Sequence, residues 1–167
     1  SLGVMHLVRL AVAQIRAQPG GASLTDLDGR AIVAAALLHD IGHYPFSHAI
    51  EELGHPVWPH ERVGRAIVVG PEVAPILEEQ WGIDPERVAR FIDPGKTEMS
   101  NTDQLLRGIL SGALDMDKLD YLPRDAKACN VPYGRVDTAR LLAALQVTEV
   151  DGVPRIVVGD KGVSPLH

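Results

Sequence analysis

Residues 31–48 read AIVAAALLHDIGHYPFSH. Positions 31–38 are apolar without a break, which leaves no polar stripe to face water, and a helix apolar nearly all round belongs at the centre of a domain. His39-Asp40 closes this helix, and Gly42 and Pro45 stop it. Upstream, Asp26 and Asp28 stand where caps are expected. A carboxylate at the end of the most apolar helix in the chain needs compensation, because burying it unpaired is costly.

Outward from this stretch the chain continues to read as helix. Apolar residues at 2, 4, 5, 8, 10, 12 and 15 recur at three- and four-residue steps, predicting a helix over 1–17 that ends before Pro19-Gly20-Gly21. On the other side, proline or glycine punctuates predicted helices at 47–53, 59–69, 71–80, 84–91, 103–111, 114–128 and 136–145. The pattern changes only at 147–158, where two β-branched runs flank Asp151-Gly152, a hairpin turn signal that Pro154 slightly weakens. The expected fold class is mainly α with one small C-terminal β-hairpin.

The 167 residues form a chain of 18.0 kDa, a length that argues for a single domain over 1–167. Its 46% hydrophobic and 23% charged residues match soluble globular chains rather than disordered ones. The net charge is −6, with no dense Lys/Arg cluster, so strong nucleic-acid binding lacks its electrostatic driver. The apolar run at 31–38 is far short of the roughly 20 residues that span a bilayer. Cys129 is the only cysteine, which excludes an intrachain disulfide and a thiolate-rich zinc site and fits a cytoplasmic location. The chain starts at Ser1, in what already reads as helix interior, and is expected to be truncated at both ends.

Five of the seven histidines, His39, His43, His48, His55 and His60, fall within 22 residues. One buried histidine is ordinarily a hydrogen-bonded core residue, but a cluster of this density points to chemistry. Imidazole together with the Asp40 carboxylate suits a divalent cation taking mixed nitrogen and oxygen ligands, with Mn, Mg, Fe, Ni and Zn not distinguished. The alternative is a structural Asp–His or Asp–Arg pair at the helix end. Further along, residues 115–125, DMDKLDYLPRD, carry four acids, two bases and a tyrosine. On a helix Asp117, Tyr121, Arg124 and Asp125 share one face with Lys118 at its margin, provided that Pro123 does not break it. Such a face reads either as a functional surface or as a solvated one laced with ion pairs.

These stretches resemble the HD-domain metal-dependent phosphohydrolases, and among them the deoxynucleoside triphosphate triphosphohydrolase (dGTPase-like) branch. The resemblance rests on SLGVMHLV (1–8), AALLHDIGHYPFSH (35–48), HERVG (60–64), DMDKLDYLPRDA (115–126) and YGRVDTARLL (133–142), in family order along nearly the whole chain. It implies an HD-domain-like helical bundle and one divalent metal ion held by His39, Asp40 and Asp117. The family's further histidine ligand directly precedes the SLG segment, upstream of residue 1. His6 is a poor substitute, about 240° around the helix from that position.

By the same resemblance, His48 is the general acid at the leaving oxygen, His43 a pocket residue and His60 the partner that orients acid–base chemistry. Glu51 stands where relatives often carry Asp in the relay. Lys118 and Tyr121 resemble phosphate-contacting residues, and Asp125 the acceptor for a sugar hydroxyl. Asp120 is expected in an ion pair, and His55 and His167 at the surface. The implied activity is hydrolysis of a deoxynucleoside triphosphate to deoxynucleoside and triphosphate, with water activated by the ion. A homo-oligomeric full-length protein is implied with it. The rival readings are an HD phosphohydrolase for a monophosphate, cyclic nucleotide or guanosine tetraphosphate, and a catalytically silent nucleotide-sensing domain.

Overall fold

A computed structural model describes residues 2–54, 56–112, 114–134 and 136–159. His55 and His167, expected at the surface, lie outside the described residues. Contacts group the chain into two compact units, one of Asp26–Met99 and the other of Leu2–Thr25 with the described residues from Ser100 onward.

In the first unit, α2 (Asp26–Leu38) carries the apolar run read from the sequence, and Ala31, Ile32, Ala34, Ala35 and Ala36 are all buried. Its small side chains allow close approach to α6 (Pro85–Ile92), which buries Val88, Ala89, Phe91 and Ile92 and also packs on α4 (His60–Val68). Asp26 and Asp28 lie inside the first turn, where their charge suits the positive end of the helix dipole. Asp28 is not a cap. It is buried, and its Oδ1 accepts from Arg87 Nη2 at 2.5 Å, tying α2 to α6. The helix α3 is shorter than predicted, only His48–Glu51.

The segment predicted as one helix over 71–80 divides into α5 (Ala74–Ile76) and a π-helical turn, Leu77–Trp81. Pro75 stands in the first turn of α5, the place in a helix that needs no N–H donor. Gly82 ends the turn at φ 65°, and both its N–H and that of Ile83 donate to the Leu77 carbonyl. Asp84 caps α6 by accepting from the Glu86 N–H at 2.9 Å.

In the second unit, α1 (Leu2–Arg16) buries Val4, Val8, Ala11, Val12 and Ile15 along one stripe and packs on α8 (Met116–Ala128). Gly3 makes that approach possible, since a Cβ there would sit 2.0 Å from Asp120 Oδ1. The side chains of Ser100, Asp115 and Asp137 cap α7 (Asn101–Ser111), α8 and α9 (Thr138–Ala143). Pro123 lies inside α8 without ending it, so the predicted spacing of its acidic face holds. Strands β1 (Leu145–Val150) and β2 (Val153–Val158) pair antiparallel from Leu145↔Val158 to Val150↔Val153. Asp151 and Gly152 both have positive φ, the requirement of a two-residue hairpin turn matched to strand twist.

The strand begins two residues earlier than predicted, at Leu145, which is fully buried. The Gln18 side chain reaches this strand, donating to the Leu145 carbonyl at 2.6 Å and accepting from the Val147 N–H at 3.3 Å. Among the described residues no helix is long and apolar enough to cross a membrane.

Candidate active site

The loop that follows α2, the two ends of α3 and the start of α4 bring six of the candidate residues together within the first unit. His39 Nδ1 lies 2.9 Å from the Ala36 carbonyl oxygen, which can only accept, so Nδ1 carries the proton. The lone pair of the neutral ring is then on Nε2, and Nε2 faces Asp40 Oδ2 at 3.1 Å. Two electron-rich atoms at that separation need a cation between or upon them, either a proton or a metal ion. Burial draws the His39 pKa down, but hydrogen bonds to Asp40 and to the Ala36 carbonyl outweigh it and the net shift is upward. The hydrogen bond with His39 lowers the Asp40 pKa against its partial burial. Asp40 is less enclosed than its place after an apolar helix suggests, with 42% of its side chain exposed.

His43 continues the line. Its Nε2 is 3.5 Å from Asp40 Oδ1, and its Nδ1 is 3.4 Å from Glu51 Oε1 and 3.2 Å from Ser47 Oγ. His60, at the first position of α4, stacks on His43 with ring centroids 3.7 Å apart and directs Nδ1 at both Glu51 oxygens, at 3.0 and 3.2 Å. Glu51 is thus the hub: it accepts from His60 and faces His43, while His48 Nδ1 stands 3.8 Å from Oε2. Partial burial pushes the Glu51 carboxyl up, and the hydrogen bond and charge of His60 more than reverse this, leaving it lowered. The Glu51 side chain therefore reaches all three histidines.

Two features of this arrangement carry no functional signal in the sequence. Gly42 reads there only as a helix stop, yet a Cβ at this position would lie 2.1 Å from the His60 carbonyl oxygen and 2.3 Å from the Gly64 nitrogen. The absence of a side chain lets the loop after α2 touch α4, which is what stacks His43 on His60. Ser47 does not stand out at all. It follows Phe46 in a pair of non-glycine residues at positive φ, 68° and 51°, a costly backbone state that turns the chain into α3 beside His43. No sequence signal marks such a pair, because neither residue type favours that conformation.

The remaining candidates lie on α8, in the second unit. Asp115 accepts from the N–H groups of Asp117 and Lys118 at 3.0 and 3.3 Å, and its other oxygen is 3.4 Å from the Lys118 ammonium. Asp117 and Tyr121 are half-buried, and Lys118 and Asp125 exposed. Asp120 pairs with Arg124 at 2.5 Å, as expected. His6 on α1 is exposed.

A model of the HD domain family matches residues 1–124. The chain belongs to the HD domain family. All of it aligns at 35% identity with an uncharacterized protein, YwfO, of Bacillus subtilis, covering 36% of that protein. It aligns over 96% of its length at 32% identity with an uncharacterized Mycoplasma pneumoniae protein, the MG461 homolog, covering 38% of it. All of it also aligns at 28% identity with the human deoxynucleoside triphosphate triphosphohydrolase SAMHD1, covering 31%. The chain thus spans about a third of the length of these relatives. Members of the HD superfamily are metal-dependent hydrolases that bind divalent ions. The donors of the first unit fit such an ion. His39 has its tautomer fixed by a carbonyl, the usual orienting contact of a histidine ligand, and its lone-pair nitrogen is set beside a carboxylate.

Proposed function

We propose that this HD domain hydrolyses deoxynucleoside triphosphates to deoxynucleoside and inorganic triphosphate. The observation that carries the reading is the chain of polar contacts from His39 through Asp40, His43 and Glu51 to His60, which sets a metal-type donor pair beside a carboxylate-oriented imidazole. The relative named as a deoxynucleoside triphosphate triphosphohydrolase supports the substrate class. His39, Asp40 and Asp117 are the proposed ligands of one divalent ion. When bound, that ion supplies a water of lowered pKa and polarises a phosphoryl oxygen.

The chain's own residues do the rest. Glu51 holds the Nδ1 proton of His60 and so keeps the Nε2 lone pair available as a base. His48 is the most exposed member of the cluster and in this reading approaches the substrate, protonating the departing sugar oxygen. His43 fills the space between them, its ring fixed by the stack on His60. Lys118 offsets charge developing on the phosphate oxygens, which requires its ammonium to leave Asp115 for the substrate. Tyr121 contacts phosphate and Asp125 accepts from the sugar hydroxyl. The same reading places the full-length protein in the cytoplasm as a homo-oligomer.

The test is product analysis on the full-length protein with dNTPs, NTPs and nucleoside monophosphates. Release of inorganic triphosphate from dNTPs, lost in His60→Asn, is the expected result. Equal turnover of monophosphates, with inorganic phosphate as product, overturns the substrate assignment.

A further inference from the structure

The imidazoles around Glu51 make a richer donor set than a proton relay uses. His43, His48, Glu51 and His60 each offer a ligand atom, and these four atoms all lie within 4.8 Å of one another. Around a tetrahedral ion with bonds of 2.0–2.1 Å, ligand atoms are about 3.3 Å apart, so the cluster needs only a modest contraction to close on one. We propose that these four side chains form a second cation site, separate from the His39–Asp40 pair, that takes Zn2+ or another borderline transition ion.

The donor chemistry selects the ion. Three imidazole nitrogens and one carboxylate oxygen suit Zn2+, Co2+ or Ni2+, whereas Mg2+ prefers oxygen ligands and retains its water. With neutral imidazoles the group carries the single negative charge of Glu51, and that charge attracts a cation. Its open side is His48, whose side chain is 70% exposed on the four-residue α3, so an ion has a route in and His48 has room to swing onto it. His43 and His60 are now stacked, with their planes 17° apart. An ion lying in the plane of one ring is then well out of the plane of the other, so binding must fan the two rings apart. Loss of the stack is a signature that ordinary charge screening does not produce.

An ion held here occupies nitrogen lone pairs that proton transfer needs. Resting on the function proposed above, the site is therefore inhibitory, and turnover falls with rising Zn2+ along the curve of site occupancy.

Titration of metal-free protein with Co2+, followed by visible absorption and by NMR of the histidine rings, tests the site. The expected result is the strong ligand-field absorption of four-coordinate Co2+, with shifted His43 and His60 ring signals. His48→Ala, which removes a largely exposed side chain outside the buried core, should weaken this absorption's midpoint about tenfold or more, and His60→Ala should abolish it. Asp40→Asn and Asp117→Ala should retain it. Absorption that survives His48→Ala and His60→Ala but disappears in Asp40→Asn places the ion at the family position only and overturns the proposal, as does wild-type protein without four-coordinate absorption. An absence of any hydrolytic turnover counts against the function, while the Co2+ spectra still decide whether the second site exists.

Discussion

His60 and Glu51 show what one contact can decide. The imidazole is oriented by a carboxylate that would otherwise be raised by partial burial and is instead lowered. A carboxyl with a lowered folded-state pKa contributes stability above its ordinary value of 4.5 and loses it as pH falls through the lower folded value. Acid titration of stability should therefore be steeper below pH 4.5 in the wild type than in Glu51→Gln, which urea denaturation at a series of pH values measures. The same variant should lose roughly 10²–10⁴ in kcat, the usual contribution of a positioned acid–base group, while the ion assigned to His39, Asp40 and Asp117 is still bound. Gly42 is a positioning residue of another kind. Gly42→Ala drives a methyl group into the backbone of α4 and should cost about 1–3 kcal/mol, read as a lower melting temperature. His39, Asp40, His43, His48 and His60 are legible in the sequence because histidine density and the HD doublet are local. The roles of Gly42 and Ser47 are not, since both depend on where the next helix arrives.

At the scale of elements, the helices read best where the apolar stripe is long and the punctuation strong. α1, α6 and α8 differ from the predicted ranges only by small shifts at their ends: a buried stripe marks all three, and the capping side chains of Asp84 and Asp115 fix the starts of α6 and α8. The region 71–80 reads poorly: its composition favours helix, but Pro71 and Pro75 delay the start and the left-handed Gly82 resolves the end into a wider turn. Asp28 departs from its expected capping role for a different reason. Acids at a helix start look alike in sequence, and only the approach of α6 makes this one the partner of Arg87. Both side chains are largely buried, so Arg87→Met leaves a carboxylate without its main counter-charge and should cost about 3–5 kcal/mol in denaturant unfolding. Replacing both, as Asp28→Leu with Arg87→Met, should recover much of that loss.

For the molecule as a whole, the class is plain in the sequence, mainly helical with a terminal hairpin, because the change from three- and four-residue spacing to β-branched runs is abrupt at the hairpin. The grouping of residues 2–25 with those from 100 onward is not visible there, since it follows from α1 and α8 meeting through Gly3 and Asp120, a contact of residues distant in sequence. The ligands proposed for the ion are likewise far apart in sequence, His39 and Asp40 on one side and Asp117 on the other. A bound ion stabilises only the folded chain, by RT ln(1 + [L]/Kd), about 2.7 kcal/mol when the free ion is at 100 times its Kd. For a chain of this size, that corresponds to a rise of roughly 5–10 °C in melting temperature. Mn2+ should therefore raise the wild-type melting temperature by that amount and shift Asp117→Ala little. The variant should keep its helical circular dichroism, because Asp115 and not Asp117 caps α8. A variant that keeps both the thermal shift and its full metal content removes Asp117 from the ligand set.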